Sequence, residues 1–126
     1  MNIALWITQS FLALVFLGSA YFKGTRDREG LVASGQTGVQ GFSIPLIRFI
    51  AVSELLGALG LLLPGIFSAG QVLVPLAAIG LAIIMVLAAV VHARLNEPRN
   101  VATNIFLLIL CVFVAWGRWP SPQGAL

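Results

Sequence analysis

The sequence contains four long apolar runs, and no other feature limits its fold as strongly. They cover approximately residues 3–22, 42–63, 72–92 and 101–119. A helix needs about 20 apolar residues to cross a hydrocarbon layer of ~30 Å, and each run is close to that length. The runs are continuous rather than alternating, which excludes a transmembrane β-barrel. The sequence therefore predicts an all-α polytopic membrane protein, a four-transmembrane-helix bundle that forms a single domain over 1–126.

Composition supports a lipid environment. Hydrophobic residues make up 60% of the 126-residue chain and charged residues only 9%, whereas charged residues are about 25% of an average soluble domain. A soluble domain of this size needs polar residues to cover its surface, and this chain has too few. The net charge of +3 comes mainly from residues near the ends of the runs. This positive charge therefore indicates how the chain is oriented in a bilayer. It does not indicate binding to a nucleic acid.

The distribution of Lys and Arg predicts the topology. The basic residues in the first and third loops are Lys23, Arg26, Arg28, Arg94 and Arg99. The opposite side has only Arg118. Because cytoplasmic loops are enriched in basic residues, we expect loops one and three in the cytoplasm and both termini outside. The expected location is the cell (inner) membrane, with multiple passes.

Glu54 is the residue that this environment tolerates least. It lies about eleven residues into the second run, roughly 16 Å along a helix and near the centre of the bilayer. An ionised side chain there costs at least ~2.5–3.5 kcal/mol. We therefore expect Glu54 to face other helices and to be either protonated or paired, and we favour a carboxyl group that is protonated or shares a proton with a neighbour. An intramembrane acid is a functional candidate, and the alternative is a structural hydrogen bond between helices.

Helical spacing places the other polar residues on inward-facing seams, since lipid offers polar groups no partner. Together with Glu54, the candidates for a ligand or proton pocket are Lys23, His92, Asn104, Arg48, Cys111 and Gln9. The neutral members of this set can hydrogen-bond the acid. The basic members lie roughly one to three helical turns away in depth and need not pair with it. The layout predicts a polar cavity that opens toward loops one and three, with Glu54 at its floor.

Several kinds of chemistry lack the residues that they need. The single cysteine, Cys111, cannot form the dithiol of a thiol–disulfide enzyme that acts alone. The single histidine, His92, cannot provide bis-histidine haem ligation, and no cluster in the sequence matches a metal site. No phosphate-binding glycine loop or nucleophile elbow is present. We therefore expect no metal site and a protein that is not an enzyme by itself.

Four stretches of the sequence resemble the DoxX-like family of small integral membrane proteins. They are FLGSAYFKGTR in the first run, AVSELLGALGLLLPG in the second, MVLAAVVHARLNE in the third and NIFLLILCVFVAWGRW in the fourth. The resemblance extends over about residues 3–119, and its motifs are specific only in combination. It implies a four-helix membrane protein in which Lys23, Glu54, His92 and Asn104 match the family's polar positions.

The resemblance leaves three hypotheses about function. The family's name comes from a subunit linked to a terminal quinol oxidase or thiosulfate:quinone oxidoreductase, which implies an accessory or quinone-associated component with an oxidoreductase subunit as partner. The second hypothesis is a non-enzymatic assembly factor or small-ligand-binding module; a homo-oligomer is compatible with either role. The third is a small proton-coupled exporter. Exporters of that type carry their acid in the first helix, whereas the first run here has none.

Overall fold

The structure, a computed structural model, describes residues 2–120, and every regular element in that range is a helix. α1 spans Asn2–Thr25, α2 Arg28–Ala33, α3 Ile44–Ile66, α4 Leu73–Arg94 and α5 Pro98–Gly117. A short 3₁₀ turn, Thr37–Val39, lies between α2 and α3. α1, α3, α4 and α5 are long and apolar enough to cross a membrane. This result confirms the predicted all-α membrane fold.

Local sequence explains where α2, α3 and α5 begin. Ser43 caps α3, because its side-chain oxygen accepts a hydrogen bond from the backbone N–H of Leu46 at 3.4 Å. Asp27 caps α2 in the same way, with the N–H of Gly30 at 2.7 Å. Pro98 lies in the first turn of α5, where a helix does not need the N–H that proline lacks.

α2 and α4, like α3 at Ser68, end in a left-handed residue that turns the chain back over the last helical turn. Gly35 has a φ of 101° after α2, and Asn96 has a φ of 57° after α4. In each case the following residue donates its N–H to the helix, Gln36 at 2.8 Å and Glu97 to the His92 carbonyl at 3.0 Å. This is the Schellman pattern. The two turns hold Gln36 and Glu97 against the bundle, where their side chains contribute to the site described below.

The four long helices pack as two pairs. α1 lies against α3 and α4 against α5, the α3–α4 contact joins the pairs, and the contact between α1 and α5 is smaller. The core draws buried side chains from all four helices, among them Leu12, Phe16, Leu61, Leu81, Leu107 and Val114. Large apolar side chains also point outward, such as Phe49 at 68% exposed and Leu56 at 63%. Outward-facing side chains of this kind suit contact with lipid tails.

The two ends of the bundle differ. The long-loop end carries residues 26–43 and the connection between α4 and α5. The short-turn end carries the start of α1, the turn between α3 and α4, and the end of α5. At the long-loop end, a small second core of Leu31, Val39 and Ile47 seats α2 and the 3₁₀ turn on the start of α3. Which end faces the cytoplasm stays a prediction.

Candidate functional site

A cavity of about 410 Å³ lies at the long-loop end, between the two helix pairs. All four long helices contribute to its lining, and residues 34–36 border it. Its apolar lining includes Val15, Phe16, Phe22, Met85 and Leu107. Its polar lining includes Ser19, Lys23, Gln36, Glu54, His92, Asn100, Thr103 and Asn104. The structure thus brings four of the predicted pocket residues together around one cavity.

The centre of the site is an ion pair between Lys23 and Glu54. Nζ of Lys23 lies 2.8 Å from Oε1 of Glu54, and the two side chains are 12% and 1% exposed. The Ser19 hydroxyl donates to the same carboxylate oxygen at 3.2 Å. Gln36 Nε2 in turn donates to the Ser19 hydroxyl at 3.5 Å. The buried carboxylate is therefore held by one charged and one neutral donor, as a buried charge requires.

This pairing differs from the prediction that neutral groups meet Glu54. Helical rise places the backbone of Lys23 near the end of α1, at a different depth in the bundle from the backbone of Glu54. Backbone depth alone therefore predicts that the two residues do not meet. A lysine side chain reaches several ångströms along the helix, however, and can bridge that difference. An ammonium nitrogen at 2.8 Å is the geometry of a charge-assisted hydrogen bond. The contact therefore supports the paired alternative for Glu54, and the protonation state of the carboxyl group stays a prediction.

Arg48 does not line the cavity, contrary to the prediction. Its Nη1 donates to the backbone carbonyls of Lys23 at 2.5 Å and Arg26 at 2.8 Å. The last carbonyls of a helix have no partner within the helix, and a basic side chain can provide one. Arg48 thereby fixes the end of α1, from which the Lys23 side chain projects.

Cys111 and Gln9 also lie outside the cavity, and the prediction is corrected for both. Cys111 is fully buried in the apolar core, where a thiol packs like a small hydrophobic side chain. Gln9 lies toward the short-turn end and donates from Nε2 to the Leu61 carbonyl at 2.6 Å. Cys111 packs among apolar side chains, and Gln9 bonds to a backbone carbonyl at its own depth in the bundle. Residue type and helical spacing do not specify these contacts.

A second polar cluster borders the cavity where the two long-loop connections meet. Oε1 of Glu97 lies 2.6 Å from Nδ1 of His92 and accepts hydrogen bonds from Thr37 at 2.8 Å and Asn100 at 3.2 Å. A Cβ at Gly38 would lie 3.1 Å from Nε2 of His92, so the 3₁₀ turn lies directly over the imidazole. Among residues 2–120, no group of three or more His, Cys, Asp or Glu side chains could hold a metal.

The cluster gives Glu97 a pH dependence that can be measured. Its hydrogen bond with His92, and to a smaller extent that from Thr37, lowers the pKa of Glu97 from the ordinary value of 4.5. A carboxyl group with a lowered pKa in the folded state stabilises the fold above its unfolded pKa, and this contribution is lost as the pH falls through the folded pKa. We therefore expect the contact of Glu97 with Thr37 to be intact at neutral pH and to loosen only below pH 4.5.

A carboxyl-carbon NMR titration measures this directly. The midpoint for Glu97 should lie below 4.5 and should rise more in His92→Leu than in Thr37→Val, because the His92 hydrogen bond is the largest cause. A midpoint that His92→Leu leaves unchanged would contradict the assignment.

Asn104 supplies the cavity with a buried donor that lacks a partner. Within residues 2–120, the buried side-chain nitrogens without a hydrogen bond are Asn104 Nδ2 and Arg118 Nη2. Asn104 is 8% exposed and lines the cavity, whereas Arg118 lies at the short-turn end. A buried polar group without a partner costs about 1–3 kcal/mol. Asn104 is therefore stabilised by any ligand that brings an acceptor into the cavity.

The sequence prediction missed several polar residues at the site. Ser19 lies four residues before Lys23 and one helical turn away on the same face of α1, so helical spacing alone could have found it. Gln36, Thr37 and Glu97 belong to connections whose path depends on the Schellman turns and on the small core beneath the 3₁₀ turn. Gly35 and Asn96, residue types that favour the left-handed conformation, were the available signal for those turns.

Comparison with protein families shows that the model of the DoxX-like family matches residues 7–114. This span includes every residue that lines the cavity. Comparison with curated proteins and with solved structures finds no match.

Proposed function

The chain belongs to the DoxX-like family, and on that premise we propose that its cavity binds the head group of a membrane quinone. In this proposal the protein is an accessory component of a membrane redox complex and is not an enzyme by itself. The observation that carries the proposal is the buried Asn104 amide, which has no partner inside a cavity that also contains a lysine ammonium. A quinone head group is an apolar ring with carbonyl oxygens that accept hydrogen bonds.

Two donors that line the cavity are available to such a ligand. The Lys23 ammonium has three N–H groups, and among the described residues one of them donates to Glu54. Among the same residues, Asn104 Nδ2 makes no hydrogen bond. Carbonyl oxygens would accept from both groups, and the low dielectric of a buried site would strengthen these bonds. The fit is therefore to a neutral ligand with acceptor oxygens.

The apolar lining favours a ring that arrives from the bilayer. Phe16, Met85 and Leu107 are buried side chains that line the cavity. Gly18 and Thr103 also line it but are exposed, and nothing lies within 4 Å of the position of a Gly18 Cβ. Because α1 and α5 make the smaller helix contact, the proposed lateral route lies between them, beside these two residues. A quinone with an apolar tail needs such a route.

The residues of the chain would hold and orient the quinone. Lys23 and Asn104 would donate to its carbonyl oxygens, and Glu54 would keep the ammonium in position. Glu97 and His92 would keep the 3₁₀ turn seated at the edge of the cavity. A bound quinone supplies the capacity to exchange two electrons with a partner oxidoreductase. The contribution of this chain is binding, orientation and exclusion of water.

Asn104→Leu tests the proposal, because leucine keeps the approximate size of asparagine and removes the donor. We expect it to weaken the binding of a short-tailed ubiquinone to the purified protein at least tenfold, about 1.4 kcal/mol. Its melting temperature should not fall, because the substitution removes a buried donor that lacks a partner. Unchanged stability with weakened binding distinguishes a ligand contact from a structural role.

Thr103→Val is the matched control. Thr103 also lines the cavity, but its hydroxyl donates to the Arg99 carbonyl within α5 at 3.1 Å, so its loss should change quinone affinity less than twofold. Equal affinities of wild type and Asn104→Leu would contradict the binding mode. No saturable binding by the wild type would refute the quinone proposal and favour an assembly role.

A further inference from the structure

A second cavity, of about 150 Å³, lies at the short-turn end and is separate from the proposed quinone site. Trp6, Gln9, Val74 and Arg118 contribute to its lining. This volume is well above the ~10–15 Å³ that a cavity needs to hold one water molecule. Gly65 also lines it, and a Cβ there would lie 2.5 Å from Cζ2 of Trp6. The absence of a side chain at Gly65 therefore lets the indole ring pack beside the cavity.

Arg118 is fixed in this cavity along one edge of its guanidinium. Its Nε donates to Oε1 of Gln9 at 2.8 Å, and Gln9 is itself 1% exposed and held by the Leu61 carbonyl. The Cζ atom lies 5.7 Å from the centroid of the Trp6 ring, within the range of a cation–π contact. Nη2 is buried and has no hydrogen-bond partner among residues 2–120. The described protein groups thus orient the guanidinium but provide no acceptor for Nη2.

No acidic side chain balances the charge of Arg118. The chain has four acidic residues; three lie in the connections at the long-loop end, and the fourth, Glu54, is paired with Lys23. Burial lowers the pKa of the Arg118 guanidinium, the direction expected for a cation without a counter-ion. A guanidinium presents its donors in a fork that matches the oxygens of a phosphate or carboxylate.

We propose that Arg118, Gln9 and Trp6 form a binding site for the phosphate group of an anionic membrane lipid. Trp116 and Trp119 lie beside Arg118 in sequence and are 68% and 55% exposed. Exposed tryptophans concentrate at the level of the lipid head groups, where lipid phosphates are found. A phosphate oxygen would accept from Nη2 and supply the missing counter-charge. Free inorganic phosphate offers the same chemistry, and the experiment separates the two sources.

The test uses the purified, delipidated full-length protein in neutral detergent, titrated with phosphatidylglycerol and, separately, with inorganic phosphate. Native mass spectrometry counts bound lipid, and the melting temperature reports stabilisation. The wild type should bind one phosphatidylglycerol in preference to inorganic phosphate. Arg118→Gln should weaken that binding at least tenfold. Arg99→Gln removes an exposed arginine at the opposite end and should leave binding unchanged.

Arg118→Lys keeps the proposal testable if the glutamine variant fails to fold. Lysine retains the charge but not the fork, so we expect an intermediate loss of affinity. Wild-type affinity in both Arg118 variants would overturn the proposal, as would an equal loss in Arg99→Gln. Displacement of phosphatidylglycerol by an equal concentration of inorganic phosphate would overturn the assignment to a lipid.

Discussion

Lys23→Met is expected to lower the free energy of unfolding by about 3–5 kcal/mol, the cost typical of removing one partner from a buried ion pair. Glu54 is 1% exposed, so the variant leaves a buried carboxylate whose remaining donor is the Ser19 hydroxyl. Methionine preserves most of the apolar stem of lysine, so a loss of stability in this variant reports the loss of the charge. Equilibrium unfolding in mixed detergent micelles measures the change.

The matched controls are Glu54→Gln and the double variant. Glu54→Gln should cost less than Lys23→Met, because Lys23 is 12% exposed, lies near the end of α1 and can extend toward the long-loop end. The double variant should be more stable than Lys23→Met alone, since replacing both partners removes the uncompensated charge. If the loss of unfolding free energy in the double variant equals the sum of the losses in the two single variants, the two residues do not interact.

Gly60→Ala is expected to destabilise the bundle by about 1–3 kcal/mol, the usual cost of overpacking. A Cβ at Gly60 would lie 2.8 Å from the Cβ of Ala77. A methyl group has no alternative rotamer, so α3 and α4 would have to move apart. Gly80→Ala on α4 is the control, because nothing lies within 4 Å of its Cβ position. Equal melting temperatures for the two variants would contradict the close approach of these helices.

The membrane-spanning helices follow from the sequence because lipid imposes two strict conditions. Each crossing needs about 20 apolar residues, and polar side chains must turn toward other helices. The first condition gives α1, α3, α4 and α5 with ends that are close to the predicted ones. The second explains why Glu54, His92 and Asn104, from three different helices, line one cavity.

The remaining features of the site depend on contacts that no single helix specifies. Lys23 reaches Glu54 through the length of its side chain, and Arg48 holds the end of α1 instead of facing the acid. Gln36 reaches the cavity through a left-handed turn at Gly35. Spacing along one helix gives the face and depth of a residue, but it does not give the path of a loop or the direction of a long side chain.

Photo-crosslinking of the purified protein with an azido-quinone tests most directly whether the Lys23–Glu54 cavity receives a quinone. We expect the label within residues 15–23 or 85–107, which contribute most of the lining. We also expect excess unlabelled quinone to suppress it and Asn104→Leu to reduce it. Labelling confined to outward-facing residues such as Phe49 and Leu56, or labelling that excess quinone does not suppress, would contradict the proposed function.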